Sequence, residues 1–231
     1  MDEKEQFIQQ AIKMTRVVRS AKQHLATFGD TDVHYFIVTD PVYTDVVPGE
    51  EESVVREGRA ISRKPKIVTP AYMLKLEGFS DDAKGYMDGM VKQFGPNSPG
   101  ILYQYTNEPV GMDIVSGKPS DVCQRIADDL DKRGEDRGVV IKGVDALWDV
   151  SLMKFVYDYT VESLSSNVTE MQAMGLFDAH PGTDIPNGAM RRIEGLFQQV
   201  KDGLDPSILK KELDRWGLFE QYQDRFFALF R

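Results

Sequence analysis

The segment from Val139 to Ser165 limits the possible folds more than any other. A short run of Val139, Val140 and Ile141 passes through Gly143 into a helix with almost no polar surface. From Asp149 onward, apolar residues recur at helical spacing on two adjoining faces. Leu152, Phe155, Val156 and Tyr159 form one, and Met153, Tyr157, Val161 and Leu164 the other. Ser151, Lys154, Asp158, Glu162 and Ser165 make a single narrow polar stripe. A helix apolar over most of its circumference demands covering elements, so residues 149–165 are expected to be a central buried helix.

The remaining elements follow from periodicity and from turn residues. Residues 4–28 read as one long helix with a heptad-like seam of Phe7, Ala11, Met14, Val18, Ala21 and Leu25, closed by Gly29. Strands are expected at His34–Val38, Val54–Ile61 and Lys66–Val68. Two more, Ile101–Thr106 and Met112–Val115, should flank a turn at Asn107-Glu108-Pro109. Thr69-Pro70 and Ser80 open helices, and Gly85 and Gly89 on the second of these would let another backbone approach. A helix from Pro119 to about Arg133 precedes the central strand–helix unit. After Ser165 only helices are expected, with Asp205-Pro206 as an N-cap pair and Leu204 and Leu209 as a staple across it. The class is α+β. A mixed or antiparallel sheet from the N-terminal and middle thirds packs on helix 149–165, and the C-terminal third is all helical. Residues 1–138 form the α+β portion and 139–231 the mainly helical portion of one compact unit.

Composition narrows the function classes. The formal charge of −9 disfavours nucleic acid and anionic membranes as partners. The single cysteine, Cys123, has no internal disulfide partner and fits a reducing, cytoplasmic setting. The N-terminus is acidic and lacks a signal-peptide pattern, and no run is long and apolar enough to span a membrane. Closely spaced Cys and His are missing, so no metal or other cofactor is expected; His34 and His180 with a carboxylate are the remote exception. Neither a glycine-rich phosphate loop nor a Gly-x-Ser-x-Gly elbow occurs.

Three weaker constellations remain. Asp40, Asp45 and Glu50 to Glu52 form an acidic loop after a strand, which most simply is solvated. Asp145 and Asp149 straddle Trp148 between the core strand and the core helix, with Asp149 placed as an N-cap. Basic residues concentrate in two segments of this acidic chain: Lys13, Arg16, Arg19 and Lys22, then Arg56, Arg59, Arg63, Lys64, Lys66 and Lys75. Arginine suits bidentate contact with phosphate or carboxylate, but such bases also neutralise acids within a fold.

Two functions are consistent with these features. One is a non-enzymatic binding or protein-interaction domain that self-associates through its first helix or its apolar C-terminal helix. The other is an enzyme acting on a phosphorylated or carboxylated small molecule, with Arg56, Arg59, Arg63 and Lys66 as an anion clamp and Asp145 or Asp149 as the carboxylate. A concave site where the arginines converge would favour the enzyme.

Overall fold

The structure is a computed structural model that describes residues 3–42 and 51–230. In chain order its elements are α1 (Glu3–Met14), β1 (Arg16–Arg19), β2 (Thr31–Thr39), β3 (Glu52–Ser62), β4 (Lys66–Val68), α2 (Pro70–Leu74), α3 (Asp81–Phe94), β5 (Gly100–Leu102), β6 (Tyr105–Ser116), α4 (Pro119–Lys132), β7 (Gly138–Lys142), α5 (Trp148–Ala173), α6 (Asn187–Lys201), α7 (Pro206–Trp216) and α8 (Phe219–Phe227). The fold is α+β, and the expected helical C-terminal third is present. No helix among the described residues is long and apolar enough to cross a membrane. Packing divides the chain into two compact units. The first comprises Met1–Lys64 and Gln104–Val168, the second Pro65–Tyr103 and Thr169–Arg231.

The first unit is built on a mixed sheet in the order β1-β7-β2-β3-β6. β2 pairs parallel with β7, and every other pair is antiparallel. Alternation along β2 sends its residues to two different cores. Phe36 and Val38, with Val55 and Val140, meet Val122, Cys123, Ala127 and Leu130 of α4. The opposite face carries Tyr35 and Ile37 and takes the start of α5. A Cβ added to Gly143 would touch Ile37 and run into Ser151, which shows how closely helix and strand approach there. Leu152, Phe155 and Tyr159 are buried, as the first apolar face of the central helix requires.

The second apolar face of α5 behaves differently. Met153 and Tyr157 are each 68% exposed, Val161 53% and Leu164 41%. The helix thus lies on the sheet by one face and leaves a three-turn apolar stripe uncovered.

Three expectations of local structure are corrected. The long first helix ends at Met14, and Arg16–Arg19 form edge strand β1 against β7. The β-branched pair Val17-Val18 favours strand over helix. Arg19 fixes that strand by donating to the carbonyls of Gly138 and Glu135 and to the Asp131 carboxylate. The expected turn at Asn107-Glu108-Pro109 is instead the interior of β6, where a register shift opposite Glu57/Gly58 accommodates the proline. A proline has no ladder N–H, so an edge strand at an irregularity is where it can sit. Among the described residues, nothing lies within 4 Å of a Cβ added at Gly85 or Gly89, so none of the described backbone approaches them.

The second unit pairs β4 with β5 and gathers its core from α6, α7 and α8. Met190, Ile193 and Phe197 meet Leu209, Leu213, Leu218 and Phe226. Thr69 and Ser80 cap α2 and α3 through their side chains, and Asp205 caps α7, as their sequence positions predict. Leu204 and Leu209 both join the core, as a staple should.

Candidate functional site

In the first unit, a cavity of about 390 Å³ is lined by Asp32, His34, Glu57, Arg59, Val110, Glu135 and Arg137. Strand geometry explains this composition. On β2, Asp32 and His34 continue the face that carries Phe36 and Val38, and α4 covers only the apolar end before it stops at Lys132. The uncovered end carries charged residues. Register places Arg59 opposite His34 and Glu57 opposite Phe36, so Glu57 and Arg59 share this face. Glu135 and Arg137 arrive from the connection between α4 and β7.

His34 is the centre of the arrangement. Its Nδ1 lies 2.6 Å from Glu135 Oε1 and its Nε2 lies 2.7 Å from Glu57 Oε1. The ring also packs on Phe36, with centroids 4.4 Å apart. Both ring nitrogens are thus engaged by carboxylates, an arrangement through which an imidazole can pass a proton from one side to the other. Arg59 pairs with Asp32, and Arg137 donates through Nε to Gln23 Oε1 at 3.2 Å.

The residues proposed as an anion clamp do not converge. Arg56 and Arg59 are three apart on a strand, and their partners Ile37 and His34 confirm that they face opposite sides of the sheet. Arg56 Nη1 donates to Asp145 Oδ1 at 2.6 Å, while its guanidinium stands 5.7 Å from the centroid of Trp148. Asp145 Oδ1 also accepts from Thr39 Oγ1 at 2.7 Å, so this carboxylate is occupied by structural partners. Arg63 pairs with Asp30 at 3.0 Å. The Lys64 N–H and the Arg63 guanidinium hold the Asp30 carboxyl below its usual pKa. Lys66 belongs to the second unit. Asp149 lies in the first turn of α5 rather than at its N-cap, and its Oδ1 accepts from the Val150 N–H at 2.9 Å.

The other constellations are dispersed too. His180 lies in the second unit, where its Nδ1 is 3.0 Å from Asn187 Oδ1. Asp45 and Glu50 of the acidic loop lie outside the described residues, and Glu51 pairs with Lys118 at 3.1 Å. Among the described residues, no group of three or more His, Cys, Asp or Glu side chains is arranged to hold a metal ion. Sequence reasoning missed the His34 cavity. The available signal was charge at alternate strand positions, Asp32 with His34 and Glu57 with Arg59, beside apolar residues on the same strands.

Comparison with protein-family models, characterised proteins and solved structures finds no match to this chain.

Proposed function

We propose that the protein is a cytoplasmic, non-enzymatic interaction protein that associates with a second copy of itself through the outward face of α5. The observation that carries this reading is the aligned stripe of Met153, Tyr157, Val161 and Leu164, which presents large apolar side chains to water over three turns. Contiguous exposed apolar surface of this kind marks interaction sites, and Tyr and Met are enriched at the centres of interfaces. A second copy is the simplest occupant because a two-fold axis through the stripe lays the same surface on itself, apolar against apolar.

Exposed apolar side chains also occur on the two elements expected to self-associate. α1 exposes Phe7 and Met14, and the C-terminal segment exposes Phe227 and Phe230. Most of the apolar C-terminus is consumed within the second unit, where Phe226 is buried and Phe219, Tyr222 and Leu229 pack against the same core. The cytoplasmic placement is supported by the lone, buried Cys123.

A second reading is favoured by the cavity alone, where Arg59 and Arg137 stand beside an imidazole flanked by carboxylates. That is a reasonable apparatus for proton transfer on a small anionic substrate. It ranks second because Arg59 is already paired with Asp32 and the remaining arginines of the expected clamp are elsewhere.

Light scattering of the wild-type protein beside Tyr157→Glu tests the leading reading. The wild type is expected at twice the 26.2 kDa chain mass, and the variant at the chain mass with an unchanged melting temperature. A wild type that stays at the chain mass up to high micromolar concentration would refute self-association.

A further inference from the structure

β6 is the outer strand of the five-stranded sheet, and among the described residues no strand lies on its far side. The direction of its backbone groups follows from one hydrogen bond. The Gly117 N–H donates to the Glu51 carbonyl, from β6 towards β3. In an antiparallel pair, alternate residues turn both their N–H and their C=O towards the partner strand and away from it. The register runs unbroken from Ser116 opposite Glu52 to Gly111 opposite Glu57. Val115, Asp113 and Gly111 therefore serve the ladder with β3, while Ser116, Ile114 and Met112 point their backbone groups to the open edge.

That edge has defined ends. The Ser116 carbonyl accepts from Arg125 Nη2 at 3.0 Å, and at the other end the register shift and Pro109 interrupt the ladder. Between them, the two N–H and two C=O groups of Met112 and Ile114 are spaced for a further strand, and no described residue takes them. The side chains specify what that strand must carry. Met112 and Ile114 stand opposite Arg56 and Val54, on the face that holds Ile37, and are 61% and 57% exposed. Asp113 is on the other face, opposite Val55. β6 contains two carboxylates, Glu108 and Asp113, and no basic residue. A second β6 laid along this edge would bring carboxylates to carboxylates, which cross-strand pairing disfavours. A strand with apolar residues beside Met112 and Ile114 and basic residues beside Asp113 is complementary on both faces, and the chain's charge of −9 attracts it from a distance.

We propose that the edge of β6 from Met112 to Ser116 binds an extended segment of another protein, alternating apolar and basic residues, as an added antiparallel strand. Antiparallel addition repeats the pairing that β6 makes with β3 and is the more stable per residue. The site is independent of self-association through α5.

Fluorescence anisotropy of the full chain with a short fluorescein-labelled peptide of alternating valine and lysine tests the proposal. Antiparallel residues directly opposite one another share a face and, where hydrogen bonded, exchange both bonds, so the valines opposite Met112 and Ile114 aim their N–H groups at β6. N-methylation of the valine nitrogens should abolish binding, and N-methylation of the lysine backbone nitrogens should leave it unchanged. Asp113→Lys should weaken binding about tenfold, by replacing a favourable cross-strand pair with a repulsive one. Ile114→Pro removes an N–H that β3 does not use, so it should abolish binding with little change in melting temperature. Tyr157→Glu should bind as the wild type does. The three peptides carry the same charge, so equal binding of all three would reveal attraction without strand pairing and overturn the proposal. So would no change in anisotropy up to high micromolar protein, or loss of binding on methylating the lysines but not the valines.

Discussion

Cys123 illustrates how a single residue's surroundings fix its chemistry. It is fully buried in the core beneath α4, and burial pushes its thiol up to about 11. A thiol needs its thiolate to react, so Cys123 should resist aromatic disulfide reagents at mildly alkaline pH and label only after denaturant is added. Fast labelling of the native protein would contradict this packing. Glu194 gives a pH-dependent case. Arg225 donates to both its oxygens, at 2.7 and 2.6 Å, and holds its carboxyl below the ordinary 4.5. A carboxyl with a depressed folded-state pKa adds stability above its unfolded value and loses it as pH falls towards the folded value. Glu194→Gln should therefore lower the melting temperature slightly at neutral pH. The pair is half exposed, so the expected loss is below ~1 kcal/mol. The gap between the two proteins should close as the solution is acidified through about pH 4.

The element that carries most weight is α5, and its two faces predict opposite outcomes. Phe155 is 2% exposed against the sheet, so Phe155→Asp should abolish soluble folding: an unpaired buried carboxylate costs several kcal/mol of the ~5–15 kcal/mol a domain has. Lys154→Ala removes only a surface pair with Asp158 and should melt within a few degrees of the wild type. Similar behaviour of the two variants would contradict the packing of the helix. On α3, Gly85 is helical with open space around it, and Gly85→Ala should stabilise by ~1 kcal/mol in a denaturant titration. Much of this level was legible in the sequence. The spans of β4 and α4 and the caps at Thr69, Ser80 and Asp205 follow from local signals, and local signals suffice there. They misled at residues 15–28, because apolar spacings of three and four continue past Met14 by coincidence. What decides the local structure there is pairing with β7, more than a hundred residues later, which no window of sequence contains.

At the scale of the whole molecule, the same limit explains what was hidden at the candidate site. His34 is held by residues 23 and 101 positions away. The basic run from Arg56 to Lys66 is continuous in sequence, yet strand alternation sends Arg56 and Arg59 to opposite faces, and Lys66 falls in the other compact unit. Local acids neutralise the first three arginines one by one. A charge run in sequence therefore does not make a charged site in space. The apolar richness of α5 was legible, but which of its faces would be covered was not, because that depends on how wide a sheet the chain builds beneath it. The uncovered face is where the account of function rests. Hydroxyl-radical footprinting across a concentration series tests it most directly, since Met153 and Tyr157 are both readily oxidised. The account predicts that oxidation of these two residues falls as the protein is concentrated, while the exposed Met112 on β6 keeps a constant rate. Unchanged oxidation of Met153 and Tyr157 from low nanomolar to high micromolar protein would contradict it.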